Sequence, residues 1–281
     1  MHYATKFCEA KGNSKRTWNL LREVIGRDEK ISKCDLPSTF TLNGKVLAGK
    51  DIAERFNSYF SSVGKKIAES LPVPKRGAST YLKRAICPSF KFQELCPESI
   101  ACYALQLKDK TSVGFDGVSS RVVRQIAPAI VEPLCHLFNL SFKTGFIPQE
   151  FKISRVIPLF KSGKKDEFGN YRPISIIPAF AKLFELIVND QVRSFFNCFR
   201  LFSNAQFGFQ KGSNPSFAVA KFMDAVFKNQ QDISLGIFID VKKAFDSVDH
   251  KILLRKLEFY GFGGVELKLF ENYLSQRFQF T

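Results

Sequence analysis

One run of residues limits the possible folds more than any other: SLGIFIDVKKAFDSVDH, residues 234–250. Leu235, Ile237, Ile239 and Val241 share one face at a period of two, and Gly236, Phe238 and Asp240 share the other. Both faces are apolar until the acid is reached, which predicts a central strand whose end opens into a site. A carboxylate there loses solvation, and that is costly unless a metal ion or a partner charge compensates. On spacing alone, a helix N-cap or a salt-bridged acid explains Asp240 equally well. Behind it the residues predict a helix, with Asp246 or Ser247 to cap it, Ile252, Leu253 and Leu257 to pack, and Gly261 to end it in the left-handed conformation.

The charge balance narrows the class of partner. Among 281 residues, 42 Lys and Arg stand against 26 Asp and Glu, a formal charge of +16. Such an excess suits a polyanion such as nucleic acid, less often an anionic membrane surface; a merely basic soluble protein is the plain alternative. Residues 231–281 carry seven basic and seven acidic side chains, so the excess lies in residues 1–230. Residues 152–211 hold ten basic and four acidic side chains interleaved with Phe and Tyr, a pattern fit for phosphate contact and base stacking, or for a solvated basic surface. The seven cysteines include no Cys-x-x-Cys pair and read as reduced thiols. No stretch approaches the roughly 18 apolar residues of a membrane span, and the N-terminus lacks a signal-peptide core. The expectation is an intracellular protein, nuclear or cytoplasmic, not secreted and without a membrane partner.

Along the chain, residues 14–25 predict a helix with Ser14 as cap and Trp18, Leu21 and Ile25 on one face. Asn43-Gly44 between alternating runs predicts a hairpin. A long helix from Lys50 carries Ile52, Phe56, Phe60, Val63 and Ile67 in one stripe and ends at Leu71-Pro72. Residues 72–90, with three prolines and four basic side chains, read as a linker. Helices are expected near 97–108 and 128–143, then a strand through FKISRVIPLF, a helix after Pro178, and another after the glycine-spaced turn at 204–214. The C-terminal QRFQFT alternates and predicts a strand whose edge is left unpaired.

The run FIDVKKAFDSVDHKILLRKL, preceded in order by YRPISII and QFGFQKGSNPSFAV, resembles the reverse transcriptase domain of non-LTR (LINE-type) retrotransposons. The resemblance extends upstream through GFDGVSSRVVRQIAPAIVEPLCHLFNLSFKTGFIPQEFKISRVIPLFKSGK and, more loosely, through NGKVLAGKDIAERFNSYFSSVG. It implies an α+β right-hand polymerase, with fingers and the first part of the palm at 89–281 and a mainly helical N-terminal extension and linker at 1–88. The implied activity is RNA-directed DNA synthesis on an RNA template with a DNA primer, using deoxynucleoside triphosphates and Mg2+, with Mn2+ as a substitute.

The same resemblance assigns roles to residues. Asp240 becomes the catalytic carboxylate and, with the backbone carbonyl of Val241, a metal ligand, since nucleotide addition needs divalent cations held by hard oxygen donors. Phe245 would lie beneath the sugar of the incoming nucleotide and exclude a 2′-hydroxyl; a core Phe is the alternative. Arg172, with Lys161 as a second candidate, would contact the triphosphate, as guanidinium geometry favours; both are otherwise surface cations. Gln206, Gly208 and Gly212 would lie along the template, or form a mere loop. An intron-encoded maturase is a related possibility against which the NYRPIS and QFGF wording argues.

Two departures stand out. The upstream turn reads Gly114-Phe115-Asp116-Gly117 where the family has Gly-Pro-Asp-Gly, which puts its rigidity in doubt. The Tyr/Phe-x-Asp-Asp hairpin that supplies the family's remaining catalytic carboxylates occurs nowhere in the 281 residues. The expectation is therefore a partial fragment cut off mid-palm and inactive alone, with a non-catalytic RNA-binding remnant as the alternative.

Overall fold

The computed structural model describes residues 2–10, 16–17, 20–21, 24, 36–42, 45–72, 77, 80, 88–228, 233–241 and 243–281. Its elements run α1 (His2–Glu9), β1 (Thr39–Leu42), β2 (Lys45–Ala48), α2 (Lys50–Ser70), α3 (Pro97–Gln106), α4 (Ser120–Thr144), β3 (Ile153–Phe160), β4 (Tyr171–Ile176), α5 (Ala179–Cys198), α6 (Pro215–Lys228), α7 (His250–Phe259), α8 (Gly264–Leu274) and β5 (Phe278–Phe280). The chain is thus of mixed helix and sheet. Its contacts divide it into two units, one of residues 1–48 and 158–172, the other of residues 49–157 and 173–281. Ser14, Trp18 and Ile25 of the expected first helix, the Asn43-Gly44 turn and most of the expected linker lie outside the described residues.

In the first unit, β1 and β2 pair antiparallel, with Leu42 opposite Lys45. Phe40 is buried there, stacked on Phe168 at 5.0 Å and tilted against Tyr171 at 6.0 Å.

The second unit is organised by α4. Ser119 caps it, its hydroxyl accepting from the Val122 N–H at 3.3 Å, and Gly145 ends it with a left-handed φ of 71°. Val123, Ala127, Leu134, Phe138 and Phe142 fall on one face and are buried. The helix begins earlier than the expected 128–143, because Pro128 and Pro133 both sit inside it. Proline removes a backbone donor and disfavours helix, yet the buried face N-terminal to Pro128 outweighs that local penalty. Ile100 and Ala104 of α3, Leu183, Phe184 and Ile187 of α5, and Leu269 of α8 complete one apolar core with it. Ring contacts run through this core, with Phe92 stacked on Phe142 at 4.3 Å and Phe138 edge-on to Phe184 at 5.2 Å.

Helix α2 buries Ile52, Phe56, Phe60 and Val63 of the stripe read from its period, leaves Ile67 half-buried, and stops at Ser70 before Leu71-Pro72. The sheet order is β4-β3-β5, and β5 pairs parallel with β3, Ile153 opposite Phe278 and Arg155 opposite Phe280. The expectation of an unpaired C-terminal edge is corrected on that side: β3 supplies the ladder partner that an alternating strand requires.

One half-buried polar pair ties α5 to α8. Tyr273 donates to Glu185 Oε1 at 2.5 Å. Burial pushes the Glu185 carboxyl above the usual carboxylate range, against the opposing pull of the Tyr273 hydrogen bond and the Arg277 and Lys182 charges. Burial, and then the adjacent carboxylate, push the Tyr273 phenol upward as well. A carboxyl whose folded pKa is raised favours the folded state below its unfolded value, near 4.5, and loses that contribution as pH rises through the folded value. Glu185→Gln keeps an acceptor for Tyr273 and removes the half-buried charge. Urea midpoints should therefore show the variant gaining on the parent as pH is raised from 5 to 7; a parent that gains instead would contradict the burial argument.

Candidate nucleic-acid and nucleotide site

In the first unit, the loop between β3 and β4 and the start of β4 hold the basic candidates Lys161 and Arg172. The Lys161 N–H donates to Asn170 O at 2.8 Å and closes the loop. Asn170 Nδ2 donates to Lys164 O and to Glu167 Oε2, and the Tyr171 hydroxyl donates to Lys165 O at 2.7 Å. Gly163, with φ 93°, is required there, since a Cβ would lie 2.6 Å from Asn170 Nδ2. The loop's polar groups are spent on its own fold, and Lys161, Lys164, Lys165 and Arg172 stay exposed. Lys161 thus opens the loop and Arg172 follows its close as the second residue of β4, both with cations open to an anionic ligand.

In the second unit lie Gln206, Gly208, Gly212, Asp240, Val241 and Phe245, all exposed. Arg193 of α5 fastens the turn between α5 and α6, donating to Phe209 O and to Gln210 Oε1. Phe209 takes a left-handed φ of 60°, and Gln210 Nε2 is buried with no hydrogen-bond partner among the described residues. A Cβ at Gly208 or Gly212 would meet nothing within 4 Å among the described residues, so no close approach to these demands either glycine; the φ of 77° at Gly212 does favour one. The ring of Phe209 stands edge-on to Phe245 at 5.9 Å. The structure thus brings the expected template stretch and the expected nucleotide-facing ring together.

Asp240 departs from its expected setting. Residues 233–241 form no strand, and Leu235, Ile237, Phe238 and Ile239 are more than three-quarters exposed. The predicted buried central strand is corrected: a strand exists only through its ladder, and no described strand pairs with these residues. Phe238 leans on Phe222 of α6 at 5.6 Å, and α6 itself keeps Phe217, Val219 and Phe227 exposed. Phe245 is 79% exposed, which removes the core alternative for it. The helix cap also differs from expectation. Asp249 Oδ1, not Asp246 or Ser247, accepts from the Ile252 N–H at 3.0 Å, while Asp246 lies in the turn Lys243–Ser247 with its N–H donating to Lys243 O.

Among the described residues no group of three or more His, Cys, Asp or Glu side chains could hold a metal ion. Among the described residues Asp240 has no companion carboxylates, so these residues do not make up a metal centre. No described helix is long and apolar enough to cross a membrane.

Residues 162–281 match the family described as reverse transcriptase (RNA-dependent DNA polymerase). That part of the chain is similar to reverse transcriptases. The putative 115 kDa protein in the type-1 retrotransposable element R1DM of Drosophila melanogaster is 31% identical over 210 residues, which is 73% of this chain and 19% of that protein. The RNA-directed DNA polymerase from mobile element jockey of the same organism is 26% identical over 185 residues, 64% of this chain and 20% of the relative. The probable RNA-directed DNA polymerase from transposon BS, also from that organism, is 26% identical over 152 residues, 53% of this chain and 17% of the relative. The chain spans about a fifth of the length of the curated relatives it matches. The resemblance to LINE-type reverse transcriptases carried by the motifs is borne out.

Tyr59, Gly64 and Lys243, which join α2 to the turn after Asp240, are absent from the sequence-based site. A glycine continuing the buried stripe of a helix is the available signal, since it marks a close backbone approach. The cap assignment is directly testable: Asp249→Ala should cost about 1 kcal/mol, and Asp246→Ala should stay within about 0.5 kcal/mol of the parent, both read from urea unfolding.

Proposed function

We propose that the chain is the fingers and first part of the palm of a LINE-type RNA-directed DNA polymerase, preceded by a helical extension that ends near residue 88. The observation that carries this reading is the similarity of residues 162–281 to the reverse transcriptase family; an ordered basic loop in one unit and the Phe209–Phe245 pair in the other support it. In it, Lys161 and Arg172 offer cations to the triphosphate oxygens. Phe245 presents an exposed ring to the sugar, and the turn carrying Gln206, Gly208 and Gly212, pinned by Arg193, lies along the template. Asp240, with the Val241 carbonyl, belongs to a divalent-ion site, Mg2+ or Mn2+, whose remaining donors are not among the described residues. Deoxynucleoside triphosphates, an RNA template and a DNA primer are the corresponding substrates, within a nuclear or cytoplasmic setting.

The second reading, an RNA-binding segment without catalysis, is favoured by one observation: the lone Asp240 carboxylate stands apart from any metal-competent cluster among the described residues. Both readings share electrostatic RNA binding. Filter binding of the 281-residue chain to RNA should weaken steeply with salt, and replacing Lys161, Lys164 and Lys165 by Ala should lower the log–log slope by about 1 for each of these lysines that meets a phosphate. A salt-independent affinity would overturn both.

Primer extension separates them. In a polypeptide that joins these residues to a carboxylate hairpin of the family, Asp240→Asn should abolish extension and leave template binding nearly intact. If Asp246→Asn abolishes extension equally, the assignment of Asp240 as the reacting-centre carboxylate is wrong.

A further inference from the structure

Helix α2 touches the turn that follows Asp240, although 184 residues of chain separate Tyr59 from Lys243. The Lys243 ammonium donates to the Tyr59 hydroxyl at 2.8 Å and lies 4.5 Å from the centroid of the same ring. One turn further on, Gly64 lies so close to the Asp246 carbonyl that a Cβ would stand 2.1 Å from its oxygen. A third contact falls beside these, Thr281 donating to Asn57 Oδ1 at 2.9 Å. Asn57, Phe60 and Gly64 follow one another at helical spacing, so the buried stripe of α2 runs directly into the glycine. The turn in return depends on this support. Lys243 holds a φ of 50°, which a residue with a side chain keeps only where its surroundings fix it. The segment before it is exposed and takes part in no described ladder, so strand pairing does not set its place.

We propose that α2 is a positioning brace for the turn Lys243–Ser247, and thereby for Phe245 within it and for Asp240 three residues before it. Tyr59 and Gly64 act as positioning residues. Tyr59 holds the Lys243 ammonium both by its hydroxyl and by its ring face, a pairing that survives partial exposure because the ring excludes water from one side of the ion. Gly64 lets helix backbone meet turn backbone with no side chain between them. The inference rests on the polymerase reading only in naming Asp240 and Phe245 as a site; the docking itself does not depend on which reaction they serve.

The test needs no nucleotide, so its failure is distinct from failure of the polymerase reading. Amide hydrogen exchange of the 281-residue chain reports the Asp246 and Ser247 N–H groups, both bonded to Lys243 O. Tyr59→Leu should raise exchange across 243–249 several-fold and leave the amides of α4 unchanged. Tyr59→Phe, which keeps the ring under the ammonium, should retain most of the protection. Gly64→Ala decides by sign. Alanine favours helix over glycine, so an undocked α2 would give a higher thermal midpoint; the brace predicts a lower midpoint and faster exchange at 243–249. A raised midpoint with unaltered exchange at 243–249, or equal exchange in Tyr59→Leu and the parent, overturns the proposal. Should Gly64→Ala fail to fold, the two Tyr59 variants decide alone.

Discussion

The larger unit depends on phenylalanine rings meeting along helix α4. Phe138 and Phe142 present rings to Phe184 of α5, and Phe142 also stacks on Phe92 in the extended segment before α3. Each such pair contributes about 0.5–1.5 kcal/mol beyond the area it buries. That is enough, with the burial itself, for α4 to run straight through two prolines. With α4 fixed, α5 is fixed; Arg193 on α5 then fixes the turn at Phe209, and the Phe209 ring meets Phe245. Within this unit, the turn at Phe209 and the Phe245 ring are thus placed by a relay of ring and guanidinium contacts that begins in the core.

Against this stands the condition of residues 233–241. Their apolar side chains alternate as in a sheet interior, yet they lie open to solvent. Exposed Phe217, Val219 and Phe227 on α6 lie in the same part of the chain. The basic loop after β3, by contrast, is complete in itself, closed by its own backbone and amide hydrogen bonds. Charge presentation therefore needs little beyond local sequence, whereas the setting of the acid needs ladder partners.

That difference also explains what can be read from sequence. The stripe of α2 and the helix after Pro178 are legible because helical period is a local property, strongly marked by Phe56, Phe60, Leu183 and Ile187. The strand at 236–240 is overread, because alternation announces a strand only if a partner exists elsewhere. Sequence places the start of α4 late because Pro128 carries more weight locally than Val123 and Ala127, whose burial counts only in the folded core. Around KKAFDSVDH the sequence reading points to Asp246 or Ser247 as the cap, whereas the position of the Ile252 N–H in the fold selects Asp249. Lys161, Arg172 and Phe245, singled out by the resemblance, are all exposed. It gives no hint of Tyr59 or Lys243, whose meeting is a property of the tertiary fold.

The separation between α2 and its turn has a consequence during synthesis. A chain grows at roughly 5–20 residues per second, so the 184 residues between Tyr59 and Lys243 take roughly ten to forty seconds to appear. Helix α2 and its Phe56, Phe60 and Val63 stripe leave the ribosome long before the turn that they will brace. Helices α3 and α4, by contrast, contact each other over a short span and can assemble as they emerge. A nascent chain of this kind carries an apolar helix in waiting, a natural client for a holding chaperone until its far partner arrives.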